Sequence, residues 1–95
     1  MNAFVYILKC NDGSYYVGST RDSLESRVGK HNAGFHGGYT ARRRPVELVH
    51  SQEFGRIEDA IVAERQIKGW SRAKKEALMR GDFVTLKALS KRRAK

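Results

Sequence analysis

One glutamate stands out of place. Ile57, Ala60, Ile61, Ile67 and Lys68 bracket Glu64 at spacings of three, four and seven, so its carboxylate projects from the apolar stripe of a helix. A buried carboxylate without a partner is costly or takes up a proton, so Glu64 calls for a cation. A Lys or Arg there would make a structural ion pair, whereas Mg²⁺ would make a reactive centre. Arg27 and His31 lie one turn apart on the face that Leu24 and Val28 turn inward. Each has a plain reading, the Arg snorkelling outward and the His satisfied within a core. Taken with Glu64, they supply a metal ligand and a fixed cation for equatorial oxygens, the groups that phosphoryl chemistry uses. Tyr6 and Tyr16 are natural strand residues, with hydroxyls that reach a rim. A phenol titrates near ~10, so a tyrosine base needs an Arg or a metal close by to lower that value.

These residues must be positioned by elements that the pattern outlines. Ala3 to Leu8 and Tyr15 to Gly18 are rich in β-branched and aromatic types, and Asn11-Asp12-Gly13-Ser14 separates them as a hairpin turn. A two-residue Asp-Gly turn puts Tyr6 and Tyr16 on opposite faces. A three-residue loop, Asn11-Asp12-Gly13 with Gly13 left-handed, pairs Leu8 with Tyr16 and Tyr6 with Gly18, so both tyrosines share a face. Local signals permit either register. Asp22 and Glu25 have the form of a capping box for a helix from about Ser23 to His31. Asn32 to Arg44, with its glycines and the Arg42-Arg43-Arg44 triplet, reads as a flexible basic loop. Pro45 opens a third strand, roughly Val46 to Phe54, with Val46, Leu48 and Phe54 alternating toward one side. A helix follows over Ile57 to Lys68, and another is capped by Ser71, runs to Arg80 and ends at Gly81. Asp82 caps a short terminal helix carrying Phe83, Leu86 and Leu89. The order is β-β-α-β-α-α-α, an α/β chain of the α+β kind, for which a small sheet covered by helices is the compact solution.

The 95 residues make a single domain, 1–95, because separate cores are not expected until well beyond ~250 residues. Lys and Arg number 19 against 10 Asp and Glu, a net charge of +9 that points to an anionic partner. Tyr39, Arg42, Arg43, Arg44, Arg72, Lys74 and Lys75 are the candidates for tracking phosphates and stacking bases, and residues 91–95 form a basic tail. Tyr15 and Trp70 read as packing or stacking residues. A lone cysteine, Cys10, excludes an internal disulfide and, with scattered histidines, speaks against a Cys/His zinc site. No signal peptide or membrane-length apolar run is visible, so a soluble cytoplasmic protein with no membrane partner is expected.

Together these residues resemble the GIY-YIG nuclease family, specifically its small stand-alone bacterial members. Phe4-Val5-Tyr6 stands in the place of the first tripeptide and Tyr16-Val17-Gly18 in that of the second. Ser19-Thr20, Leu24, Arg27 and His31 resemble the helix motif, and Glu64 stands where the metal-binding glutamate belongs. The stretches Tyr-Thr-Ala-Arg-Arg-Arg-Pro-Val at 39–46 and Ile67-Lys68-Gly69-Trp70-Ser71 extend the likeness over essentially the whole chain. The first tripeptide departs at its Gly and Ile, and the late asparagine of many relatives has no counterpart after Asn32.

The resemblance implies a three-stranded antiparallel sheet flanked by helices, a one-metal phosphodiesterase site lined by both tyrosines, and therefore the three-residue loop. By position, Tyr6 would be the general base or share its proton with the attacking water, and Tyr16 would orient that water or the phosphate. Arg27 would stabilise transition-state charge with His31 assisting, and Glu64 would hold Mg²⁺ or Mn²⁺. The implied activity is hydrolysis of phosphodiester bonds in DNA by a metal-dependent endonuclease acting in repair or recombination. With no appended DNA-binding domain, branched, flapped or single-stranded DNA is expected rather than a fixed sequence. The rivals are a nucleic-acid-binding module without turnover, its Glu64 in an ion pair, and a ribonuclease.

Overall fold

The computed structural model describes residues 2–35 and 38–93, the last three by backbone alone. Strands β1 (Ala3–Lys9) and β2 (Tyr15–Thr20) pair antiparallel, with Leu8 opposite Tyr16 and Tyr6 opposite Gly18. This is the three-residue loop. The Cys10 N–H donates to the Ser14 carbonyl at 2.8 Å, the Gly13 N–H to the Cys10 carbonyl at 2.9 Å, and Gly13 takes φ 85°. That backbone region is open to glycine at little steric cost. Asp12 secures the loop by accepting from the Ser14 N–H at 3.0 Å, the Ser14 hydroxyl at 2.6 Å and the Arg43 Nε at 2.9 Å.

A third strand, β3 (Glu47–Phe54), lies antiparallel on the other side of β1, giving the order β2-β1-β3. Ile7 faces His50 while Leu8 faces Leu48, so Val49 is an extra residue, a bulge. The bulge breaks the expected alternation of Val46, Leu48 and Phe54 toward one side. Val46 packs with Tyr6, Leu8 and Cys10 on one face, whereas Phe54 packs with Val5, Ile7 and Val17 on the other. Leu48 remains exposed.

Helix α1 (Leu24–Asn32) starts one residue later than the Asp22 capping box implies. Ser23 is its cap, accepting from the Ser26 N–H at 3.1 Å, while Asp22 instead pairs with Lys30 at 3.4 Å. The segment read as a loop contains a four-residue helix, α2 (Gly38–Ala41). Helices α3 (Ile57–Lys68) and α4 (Arg72–Arg80) follow as expected, the latter capped by Ser71 and ended by Gly81 at φ 71°. In α5 (Phe83–Arg93), Asp82 accepts from the Thr85 N–H at 3.1 Å. This helix is longer than the short one expected and takes in the start of the basic tail, whose residues 94 and 95 lie outside the described residues.

Two packing layers position the site. Ile67 of α3 lies in one cluster with Val5, Ile7 and Val17, while Leu24 and Val28 of α1 pack on the Tyr6 and Leu8 face. Full burial of an aliphatic such as Val5, Ile7 or Ile67 contributes about 1.5–3 kcal/mol, and the partly buried Leu24 and Val28 contribute less. Asn32 ties the end of α1 to the start of β3, accepting from the Val46 N–H at 2.7 Å and donating to its carbonyl at 3.1 Å. This clamp holds the neighbouring His31 against the sheet. Among the described residues, no helix is long and apolar enough to cross a membrane.

Candidate active site

The hairpin register turns Tyr6 into the layer beneath α1, where it is 2 % exposed. Its hydroxyl lies 3.0 Å from Nε2 of His31, which is 1 % exposed, and the His31 Nδ1 lies 2.9 Å from the Thr40 hydroxyl. Tyr16 shares that face, its ring centroid 6.5 Å from Tyr6 and 5.1 Å from His31. Its outer side stacks on Tyr39 at 6.1 Å, and the Arg43 guanidinium lies 3.9 Å from the Tyr39 ring. A cleft of about 250 Å³ opens here, lined by Tyr15, Tyr16, Val17, Tyr39, Lys68 and Lys75.

Arg27 and Glu64 approach along β2. Arg27 donates through Nη2 to the Thr20 hydroxyl at 2.9 Å. Glu64 accepts from the Ser19 hydroxyl at 2.6 Å and from Lys68 at 2.8 Å, with 18 % of its side chain exposed. Ser19 pairs with Val5 and so faces α3, whereas Gly18 pairs with Tyr6 and faces α1. Groups from the two faces of the sheet therefore lie on either side of β2, one of its two edge strands. Glu64 meets the Ser19 hydroxyl and Arg27 that of Thr20, while His31 lies between two, those of Tyr6 and Thr40.

The electrostatics join these groups as well. Burial pushes the Tyr6 phenol well above its ordinary value, the proximity of Tyr16 and Glu64 adds to the shift, and the Arg27 charge opposes it. The free protein thus holds Tyr6 as a protonated phenol. Burial alone would raise Glu64, yet hydrogen bonds from Lys68 and Ser19, with the charges of Lys68 and Arg65, hold it below the usual range. The hydrogen bond to Glu64 in turn raises Lys68.

Glu64 is the residue able to hold a metal. No group of three or more His, Cys, Asp or Glu suited to a metal exists among the described residues. Mg²⁺ does not demand one, since it keeps several waters and accepts one carboxylate together with substrate phosphate oxygens. An ionised, part-exposed Glu64 whose oxygens retain acceptor capacity fits that role.

The candidates for contacting nucleic acid divide sharply. Arg42 is exposed and makes no hydrogen bond or ion pair with a described residue, and Lys75 lines the cleft. Tyr39 is 41 % exposed beside Tyr16. Arg43 is committed to Asp12 and the Tyr39 carbonyl, and Arg44 to the carbonyls of Ala41 and Asn32. Arg72 holds Glu76 and the Gly13 carbonyl and covers the Tyr15 ring. Lys74 is 6 % exposed with its ammonium 4.6 Å from the Trp70 ring, so its charge is turned to an aromatic face rather than outward.

Sequence reasoning missed two participants. Lys68, one turn beyond Glu64, reads in the sequence as part of the stripe around it, whereas its ammonium pairs with the carboxylate. Thr40 gave no local signal, because α2 itself was read as loop.

Residues 2–77 match the GIY-YIG catalytic domain. The chain belongs to the GIY-YIG family. A UPF0213 protein of Halobacterium salinarum is 47 % identical over 74 residues, covering 78 % of this chain and 95 % of that one. Another from Staphylococcus saprophyticus is 45 % identical over 76 residues, covering 80 % and 92 %. The solution NMR structure of a UPF0213 protein from Bacillus halodurans has a TM-score of 0.53 at 45 % identity, covering 82 % of each chain. A protein from E. faecalis reaches 0.59 at 35 % identity over 88 % of each chain. The GIY-YIG domain is that of a nuclease family, which makes nucleic acid the natural class of substrate.

Proposed function

We propose that this protein is a metal-dependent endonuclease that hydrolyses phosphodiester bonds in DNA, selecting branched, flapped or single-stranded forms by structure. The observation that carries this reading is that Arg27 and Glu64 are fixed by the neighbouring Thr20 and Ser19 of the edge strand β2, beside the paired Tyr6 and Tyr16, and that both charges act on the Tyr6 phenol. An open strand edge lets an extended backbone approach without displacing either helical layer.

Glu64 would hold Mg²⁺ or Mn²⁺, which when bound supplies Lewis-acid stabilisation of phosphate oxygens. Arg27, fixed by Thr20, is preorganised to balance the charge that grows on the equatorial oxygens. Tyr6 with His31 forms a proton-accepting pair for the attacking water, and Tyr16 places that water or the phosphate. Arg42 and Lys75 supply long-range attraction for the strand, while Tyr39 and Tyr16 offer an aromatic surface for an unstacked base.

One observation favours the rival reading of binding without turnover: Glu64 already has a cation in Lys68. The deciding experiment is a cleavage panel of branched, flapped, single-stranded and duplex DNA with parallel RNA substrates, under Mg²⁺ and Mn²⁺. Wild-type cleavage lost in folded Glu64→Gln and Arg27→Ala supports the nuclease. Retained binding with no cleavage by the wild type sinks it, and preferential cleavage of RNA overturns the choice of DNA.

A further inference from the structure

The Tyr6 hydroxyl, the His31 ring and the Thr40 hydroxyl form a continuous chain, each member 2 % exposed or less. Every proton in such a chain has a consequence, because a buried polar atom facing a partner of the wrong kind goes unpaired. The imidazole has two nitrogens, and the proton on one decides what the other can accept. Two arrangements satisfy the distances. In the first, Tyr6 donates to Nε2 and Nδ1–H donates to Thr40. In the second, Thr40 donates to Nδ1 and Nε2–H donates to the phenolic oxygen.

The chemistry of the end groups separates them. A phenol is a stronger donor than an aliphatic hydroxyl and a poorer acceptor, since its oxygen lone pair is delocalised into the ring. Tyr6 is also held protonated by its surroundings. The better pairing therefore places the aliphatic hydroxyl as acceptor and the phenol as donor. We propose that Thr40 is a positioning residue that fixes His31 as its Nδ1–H tautomer, so that Nε2 stands ready to accept the Tyr6 proton.

The proposal deepens the nuclease reading and rests on it for its catalytic meaning. Within that reading, Tyr6 passes its O–H proton to Nε2 as its oxygen takes a proton from the attacking water. The imidazole becomes an imidazolium, and Thr40 continues to accept from Nδ1–H throughout. No atom other than these protons moves, and charge balances between the hydroxide that forms and the imidazolium. The carrier of Thr40 is the short helix α2, which also presents Tyr39 to Tyr16. A single turn thus sets the proton chain on its inner side and the stacking surface on its outer side.

Nitrogen-15 NMR of the His31 ring tests the assignment without reference to activity. The wild type and Thr40→Ser should show a protonated Nδ1 and an unprotonated Nε2. Thr40→Val, nearly isosteric but without the hydroxyl, should lose that pattern. Tyr6→Phe should keep it, because an Nε2–H would then face the phenyl ring without an acceptor while Thr40 still accepts from Nδ1–H. In cleavage assays Thr40→Val should lower kcat by about 10- to 100-fold with KM little changed, and Thr40→Ser should restore it. An Nε2–H signature in the wild type, or its appearance in Tyr6→Phe, overturns the proposal even where Thr40→Val fails to fold. A wild type with the Nδ1–H tautomer that cleaves no substrate supports the assignment of the tautomer and refutes the nuclease reading instead.

Discussion

The Tyr6 hydroxyl lies over Gly18, its partner across the hairpin, so closely that a Cβ at Gly18 would stand 2.5 Å from the phenolic oxygen and 2.6 Å from Cζ. The glycine of the second tripeptide is therefore needed for space. The backbone there is ordinary strand, but the ring of the first tripeptide's tyrosine occupies the volume a side chain would fill.

Gly18→Ala should accordingly act as an overpacking change. Tyr6 is buried with His31 at its hydroxyl and cannot swing away freely. Urea unfolding should report a loss of about 1–3 kcal/mol, and cleavage should fall as the phenol leaves His31. Because Cζ is nearly as close as the hydroxyl, Tyr6→Phe should not relieve the strain, whereas Tyr6→Leu should. A double-mutant cycle of Gly18→Ala with Tyr6→Leu that shows no coupling would refute this account.

Much of this arrangement was legible in the sequence because it depends on local rules. The Asp12-Gly13 turn, Ser71, Gly81 and Asp82 each act through their own backbone neighbours, so their roles could be read directly. The choice between turn registers could not, since both satisfy the local signals, and only the likeness to a known family favoured the observed one. The bulge at Val49 escaped notice because it arises from pairing with β1 and leaves no mark in β3 itself. Glu64 was conspicuous as a carboxylate on an apolar stripe. Thr40 and the commitments of Arg43, Arg44 and Arg72 are tertiary, and a run of arginines looks the same whether its members reach solvent or carbonyl oxygens.

That difference among the arginines is measurable. Arg42→Ala removes an exposed cation, so stability should stay within about 0.5 kcal/mol of wild type. Nucleic-acid affinity should fall, and the slope of log K against log salt should flatten by roughly one contact. Arg44→Ala removes the donors to Ala41 and Asn32 at the junction of α1 and α2, and should destabilise the fold by about 1–2 kcal/mol. Equal effects of the two substitutions on unfolding midpoint would contradict the assignment.

His50 gives the fold a pH dependence of its own. Its Nε2 is buried without a hydrogen-bond partner among the described residues, and burial lowers its pKa below the ordinary value. The folded state therefore binds this proton less readily than the unfolded chain. The sign follows: His50 contributes no penalty above the unfolded value near ~6.5, and stability declines as pH falls from there toward the lower folded value. Urea midpoints measured at pH 7.5 and pH 5 should show that decline in the wild type and a smaller one in His50→Leu. An identical decline in both proteins would remove His50 as its source.

In the proposed nuclease, Lys68 and a divalent cation would compete for Glu64. The ammonium lies 2.8 Å from one carboxylate oxygen and 5.9 Å from the Tyr16 ring, with 54 % of its side chain exposed. That exposure keeps the pair weak, at about 0.5–1 kcal/mol after screening, which a hard dication can overcome. Lys68→Met keeps the aliphatic stem and deletes the charge, so Mn²⁺ should bind about two- to fivefold more tightly, the equivalent of that energy. Ser19→Ala should do the reverse, because the hydroxyl that fixes the carboxylate is lost. Mn²⁺ titration followed by electron paramagnetic resonance reads both changes in the absence of substrate, with Glu64→Gln as the variant that should not bind. Unaltered affinity in Lys68→Met would mean that the metal, if it binds, does so without displacing the lysine.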